Sequence, residues 1–474
     1  MLDIKLLRET PEIVKANTKK KGQEQKLPLI DKAIALDVEW KKLKTESDLL
    51  RASRNSVSKE ISEAKKAGKD TNALMKRASQ IPDEIAKIEE KMVKAEADIE
   101  VILKQLPNIM WKGVPIGKDG TGNPETYKGG KVPKFDFPVK NHVEVAEGLG
   151  VVDFDASARV AGNGFYYIKG DLALMNQALL RFAIDFMDKK GYTYIEPPVM
   201  LHEKEIFASM DKAAIAQSVY SIKDEDLNLI GTAEQSLLAM HSGQTIPEWE
   251  LPKRYFAYTM SFRKEVGAHG INEKGLWRTH QFNKVEQFVF CMPEDSEKLY
   301  DELYNNSKEI LEELQLPFRV LEICTGDLAD WKYRSADFEV WRPKSNLYGE
   351  IMSLSNCTDY QARKLGIKCL GRDGEKRVLH TLNNTALATS RIMVAILENC
   401  QQKDGSVKIP DVLVPYMNGK KFIGSLRKVA EKKYEGKKED KLEKVEKNKG
   451  KEGNSSNNRF ISIKFPTKSK TKKK

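Results

Sequence analysis

Apolar residues recur every seven positions along two stretches near the start of the chain. One row is Leu36, Leu43, Leu50, Val57 and Ala64, with companions Ala33, Trp40 and Ile61; Ser47 and Arg54 interrupt the companion row. The other is Leu74, Ile81, Ile88, Ala95 and Ile102, with companions Ala78, Ile85, Met92, Ile99 and Leu106. A polar turn at 64–71 separates the two seams. Together they predict an antiparallel two-helix coiled coil over about residues 27–106. Gly68 suits the helix stop before the turn. Pro82, inside the second seam, predicts a kink or a late helix start. At about 1.5 Å per residue each helix would extend roughly 50–60 Å, too far for a globular body to cover.

The seven-residue pattern ends at Pro107, and a Gly/Pro-rich stretch at 111–145 reads as connector. Beyond it the periodicity shortens. A strand within 162–170, an apolar-periodic helix from about Asp171 to Lys190 closed by Gly191, and a short strand reaching Pro197 and Pro198 open a second region. Strands without regular βαβ alternation continue to about residue 400 and predict a mixed or antiparallel sheet in an α+β domain over 146–424. Within it, residues 254–290 carry two strand-like segments, 255–262 and 281–290, rich in aromatic and β-branched residues. The polar loop between them holds Gly267, Gly270 and Gly275, which suits a long hairpin. Arg263 and Glu265 fall where the first strand runs out, and Glu286 lies on the returning strand. Such a hairpin can surround a small concave site; an ordinary surface hairpin with scattered charges is the competing reading.

Charge changes the picture only at the end of the chain. Of the 474 residues, 80 are Lys or Arg and 69 are Asp or Glu, a net +11. Residues 425–474 hold 18 bases and 7 acids, so this tail accounts for the whole excess and the remaining body is neutral. The tail is low in complexity and cannot bury enough apolar area to fold alone, so it is expected to be disordered. Non-specific RNA attraction and plain solvation both fit it. The predicted arm is also polarised: residues 41–66 have 8 bases and 4 acids, residues 83–100 have 3 bases and 7 acids. That asymmetry serves either helix pairing or RNA contact by the basic helix. The five cysteines, 291, 324, 357, 369 and 400, are odd in number and lack any C-x-x-C pair. They read as free thiols in a reducing compartment. No apolar run has the length of a membrane span, and the N-terminus lacks a signal core, so a cytoplasmic protein with no membrane partner is expected. No Walker loop and no G-x-G-x-x-G after a strand occurs, which removes the two commonest nucleotide-binding signatures.

Three further segments bear on the hairpin: IGTAEQ at 230–235, YGEIMSLSNCTDYQAR at 348–363, and LHTLNNTALATSRIMVAILEN at 379–399. With FRKE (262–265) and RTHQFNKVE (278–286), their order and spacing resemble seryl-tRNA synthetases, class II aminoacyl-tRNA synthetases, of the eukaryotic-like cytosolic type. The resemblance covers essentially residues 1–423. GYTYIEPPVM looks like motif 1, with Pro198 at the dimer-interface proline; FRKE to KVEQF looks like motif 2; NNTALATSRIMVAILEN looks like motif 3.

The resemblance implies a tRNA-binding helical arm over 1–110, a class II catalytic domain built on an antiparallel sheet flanked by helices, and a homodimer. It implies ATP- and Mg²⁺-dependent serine activation, then transfer to tRNA(Ser), with tRNA(Sec) a further candidate substrate. Arg263 would bridge the serine carboxylate and the α-phosphate, using a bidentate fork that lysine lacks. Arg391 would hold the γ-phosphate and Arg278 the triphosphate. Glu265 would accept from the adenine amino group and Phe282 would stack on the base, with Lys264, Thr279, Ile351 and Met352 completing the ATP site. Glu350 and Ser353 would ligate Mg²⁺ through hard oxygens. Thr232, Ala233, Glu234, Glu286, Asn383 and Thr385 would join Arg263 around serine. Met352 and Leu354 replace smaller residues, and Ser390 stands where many members carry glycine, so the local loop geometry is open to variation. The scattered cysteines do not support zinc. Among the histidines, His280 is expected to be a packed or hydrogen-bonded strand residue, and neither His269 nor His380 has an evident acid–base task. A catalytically silent, RNA-binding or regulatory relative is the alternative; a bare coiled-coil scaffold would leave the motif residues without a purpose.

Overall fold

The computed structural model describes residues 1–210, 212–265 and 274–424. The basic tail, Gly267, Gly270 and His269 lie outside the described residues. The heptad seams fold as α1 (Leu27–Lys66) and α2 (Asn72–Leu103). Every apolar seam position named above is buried or half-buried; of the two polar interruptions, Ser47 is buried and Arg54 is exposed. Arg51 on α1 pairs with Glu89 on α2, and Val57 packs with Ile81 and Ile85, so the helices run antiparallel. Gly68 takes a φ of +66°, and Lys69 donates its backbone N–H to Ala64 O at 2.9 Å, a Schellman-type closure that glycine makes without strain. The late start expected at Pro82 does not occur: α2 begins at Asn72 and runs through it. Burial of Ile81 and Ile85 on either side supports the helix across the missing N–H.

The base of the arm is joined to the body. Leu7, Val14, Ile30 and Ala33 pack with Ile99, Ile102, Leu106 and Tyr360 in one buried cluster. Buried Asp37 accepts a bidentate pair of hydrogen bonds from Arg8 and an ion pair from Lys41.

The body is built on an eight-stranded sheet. In chain order its strands are β1 (Glu125–Gly129), β2 (Thr193–Tyr194), β3 (Lys253–Phe262), β4 (Gln281–Cys291), β5 (Phe318–Glu322), β6 (Arg334–Arg342), β7 (Leu347–Thr358) and β8 (His380–Ala388). In space they run β1-β5-β6-β7-β8-β4-β3-β2, antiparallel except for the short β2–β3 pair. Strand β1, inside the stretch read as connector, forms one edge. The strand expected within 162–170 is reduced to a bridge between Val152 and Ile168. Helices α3 (His142–Gly148), α4 (Asp171–Lys189), α6 (Ser296–Glu313) and α7 (Thr389–Asn399) supply the main core against one sheet face, and α5 (Ala233–Ala239) packs on the other. Alternation sorts β4: Val285 and Val289 enter the main core, whereas Phe282, Lys284 and Glu286 share the opposite face. That opposite face holds the site. Among the described residues, no helix is long and apolar enough to cross a membrane.

Candidate active site

The β3–β4 hairpin sets the first side chains. Its register places Ser261 opposite Phe282 and Ala257 opposite Glu286. Arg263 extends the pairing by donating its N–H to His280 O at 3.0 Å, and its Nε donates to Gly231 O at 3.1 Å. This holds the guanidinium carbon 5.3 Å from the Phe282 ring centre. Glu265 sits at φ +51° and accepts from Arg278 at 3.0 Å. These groups line a polar cavity with Trp277, Thr279, Ile351 and Arg391. Arg391, on the first turn of α7, donates to Glu350 O at 2.7 Å and lies 5.4 Å from the Trp277 ring. The cavity thus has an aromatic floor, three guanidinium groups, the Lys284 ammonium and two carboxylates, Glu265 and Glu350. That set suits a planar base carrying a polyanion.

A second cavity, of about 310 Å³, adjoins the first and shares Arg263, Lys284, Glu350 and Thr385 with it. Thr232 caps α5 and donates its hydroxyl to Glu286 at 3.3 Å. Lys284 donates to the Thr232 hydroxyl at 3.0 Å and pairs with Glu286. Thr385 lies directly across the β4–β8 ladder from Glu286. Glu234 is held by Gln361 at 2.8 Å and Asn383 at 3.1 Å, and Gln361 is itself fixed by the Thr381 hydroxyl at 2.8 Å. Burial first, and then the Glu286 charge, push the Glu234 carboxyl above its ordinary range. Glu234 and Glu286 share this cavity with the ammonium groups of Lys284 and Lys332.

Two bulges aim the remaining groups. In a regular strand, residues three apart face opposite sides. A register shift between Glu350 and Met352 lets Glu350 and Ser353 line the same cavity. Another between Thr385 and Leu387 does the same for Thr385 and Ala388. Across β6–β7, Asp337 pairs with Ser353. Asp337 Oδ1 is buried and accepts no hydrogen bond from the protein. Burial, then the Glu350 charge, push Asp337 up to about 7. Glu350 goes the other way: despite desolvation, Arg391, Arg263 and Lys332 hold it below the usual carboxylate range.

Not every sequence-nominated residue meets the others. The Lys264 ammonium lies 5.9 Å from the Tyr220 ring and does not line either cavity. Ala233 and Met352 are buried in the packing beneath the site. Pro198 is exposed, and its carbonyl accepts from Ser236 at 2.7 Å. His280 is half-buried, its ring bonded to Arg263 O at 2.9 Å, and His380 is likewise half-buried at the start of β8. Lys284, Lys332, Asp337 and Gln361 enter the site unannounced. Lys284 lies inside a motif segment, but a strand lysine reads as solvent-facing and here it is only 7 % exposed.

Comparison with known proteins fits this geometry. Residues 1–110 match the seryl-tRNA synthetase N-terminal domain, and residues 219–400 match the tRNA synthetase class II core domain (G, H, P, S and T). The serine–tRNA ligase of Methanocella arvoryzae is 46 % identical over 425 residues, covering 89 % of this chain and 100 % of that protein. The chain belongs to the seryl-tRNA synthetase family. Among solved family structures, the Pyrococcus horikoshii seryl-tRNA synthetase complexed with ATP superposes with a TM-score of 0.85 at 38 % identity, covering 89 % of this chain and 99 % of that one. The Naegleria fowleri cytoplasmic serine–tRNA ligase in complex with AMP gives 0.82 at 32 % identity, covering 89 % and 98 %.

Proposed function

We propose that this chain activates serine with ATP and transfers it to the 3′ end of tRNA(Ser). The observation that carries this reading is the junction of the two cavities at Arg263 and Glu350, because activation needs a carboxylate and an α-phosphate brought to one point. There a serine carboxylate oxygen attacks the α-phosphorus, the bond to the β-bridging oxygen breaks, and pyrophosphate leaves. In the second step a hydroxyl of the terminal adenosine attacks the seryl carbonyl, and AMP departs. Neither step requires a protein nucleophile, so the chain acts by positioning and by neutralising charge. Arg263 spans the carboxylate and the α-phosphate. Arg391 and Arg278 meet the outer phosphates, and Phe282 and Glu265 take the adenine. Glu286 and Glu234 receive the serine ammonium, while Thr232, Thr385 and Asn383 complete the polar wall.

Glu350, Ser353 and Asp337 form an all-oxygen donor set with an orphaned buried carboxylate oxygen, and this fits Mg²⁺. We assign Glu350 and Ser353 as the residues that hold it. Bound there, Mg²⁺ would neutralise developing phosphate charge. The helical arm would grip RNA by shape and backbone, and a homodimer would let it reach a tRNA charged on the partner subunit. The five free thiols suit a reducing compartment, and the cytoplasm is the setting we assign. Whether tRNA(Sec) is also charged is decided by aminoacylation with that tRNA.

Serine-dependent ATP–pyrophosphate exchange tests the first step. The full chain should show exchange with serine and not with alanine; absence of exchange from folded protein would favour the silent relative.

A further inference from the structure

Lys332 lines the amino-acid cavity beside Ser353 and Glu350, yet neither of its hydrogen bonds goes to a carboxylate. Its ammonium donates to the Ser335 hydroxyl at 3.2 Å and to the Ser353 hydroxyl at 3.4 Å. Ser335 is fixed in turn by donating to Leu354 O at 2.6 Å. The charge reaches further than these contacts, since Lys332 favours the ionised forms of Asp337, Glu350 and Glu234 together. We infer that Lys332 is a built-in competitor for divalent metal: its ammonium serves as the resident cation at the Ser353 hydroxyl and must swing away when Mg²⁺ takes that oxygen.

This rests on the reading of Glu350 and Ser353 as the Mg²⁺ ligands. An ammonium bonded to a hydroxyl and a Mg²⁺ ligated by the same oxygen lie no more than about 5.5 Å apart. At that spacing two cations in a partly buried site repel strongly. The backbone cannot retreat to relieve this. Neighbouring Asp330 is tied to the arm base by Lys26 at 2.6 Å, by Gln23 at 2.7 Å and by the Asn108 N–H at 2.7 Å. Trp331 O accepts from Asn108 at 3.2 Å, and Tyr333 N donates to Asn356 O at 2.8 Å. Only the lysine side chain is left to move. A resident cation of this kind keeps the acid cluster ordered without metal and raises the metal concentration needed to load the site.

The test is Mn²⁺ titration, read by EPR as free Mn²⁺, into full-length protein held in excess over ATP. Lys332→Met keeps the side-chain bulk and removes the charge, and it should bind Mn²⁺ about tenfold more tightly than the parent. Lys332→Arg should stay within about twofold of the parent. Lys332→Gln is the second uncharged variant, in case the first folds poorly. Equal or weaker Mn²⁺ binding by folded uncharged variants would overturn the proposal. Ser353→Ala and Glu350→Gln in the otherwise unaltered chain separate the two levels. If neither weakens Mn²⁺ binding, the assignment of the metal ligands fails and the competition falls with it. If both weaken it while Lys332→Met changes nothing, only the competition fails.

Discussion

Arg263 is where single-residue chemistry is most exposed to test. Its Nε is engaged by Gly231 O, which leaves the terminal nitrogens to face the cavity junction. Arg263→Lys keeps the charge and loses the planar fork, so serine-dependent exchange should fall on the order of 10²–10³-fold, roughly 3–4 kcal/mol. Thermal unfolding should stay close to the parent's. A lysine variant with near-normal exchange would remove the fork from the mechanism. Thr385, opposite Glu286, gives the specificity counterpart. Thr385→Val should lower kcat/KM for serine about 10–100-fold, as serine-dependent exchange would show. Both residues were nameable from sequence because they sit in ordered motif segments. Asp337 and Lys332 were not: an acid on one strand and a lysine in a loop become neighbours of Ser353 only through the β6–β7 register, which sequence does not display.

Between elements, the returning edge of the hairpin loop is held from behind by a buried network. Glu398 on α7 is fully buried and accepts from the His142 backbone and ring and from Arg342. The other ring nitrogen of His142 accepts the Leu276 N–H at 3.1 Å, next to Trp277 and Arg278 in the cavity lined by Arg263 and Arg391. Gly275 permits this approach, since a Cβ there would lie 2.5 Å from His142 Nε2. Gly275→Ala should therefore raise the KM for ATP several-fold while leaving the serine KM near the parent's, measured by exchange. Burial opposes ionisation of Glu398, but His142 and Arg342 hold it below the ordinary range. A depressed carboxyl contributes stability above its unfolded value of about 4.3 and loses it as pH falls through the folded value. Glu398→Gln should destabilise by on the order of 3 kcal/mol at neutral pH. It should also flatten the acid limb of a Tm-against-pH curve; an unchanged acid limb would remove Glu398 from that titration. The hairpin and its flanking strands were legible from alternation and turn glycines. The bulges at Ile351 and Ala386, and the clamp behind Gly275, were not, because they arise from mismatched strand lengths and from contacts more than a hundred residues apart.

Across the whole molecule, the arm and the site are separate in chemistry yet share a base. The seams were legible over their full length, since a seven-residue repeat states its own partner surface. What the repeat could not show is where the coiled coil stops being an arm. Ile30, Ala33, Ile99 and Ile102 pack against the body, and Lys26 bonds Asp330 beside the active-site loop. Deleting all of 27–106 would therefore strip core as well as arm and confound any loss of activity. The Arg51–Glu89 pair marks a better cut, because it joins the two helices well above that base. Replacing residues 52–88 by a short glycine-containing turn would leave the base cluster and both cavities intact. Serine-dependent exchange should then stay within about twofold, because activation uses neither helix tip. Aminoacylation of tRNA(Ser) should lose more than about 100-fold in kcat/KM, carried mainly by the KM for tRNA, with the loss shrinking at low salt, where the remaining basic groups attract RNA more strongly. Full charging by the shortened chain would show that α1 and α2 pair for stability alone, and that their opposite charges serve each other and not RNA.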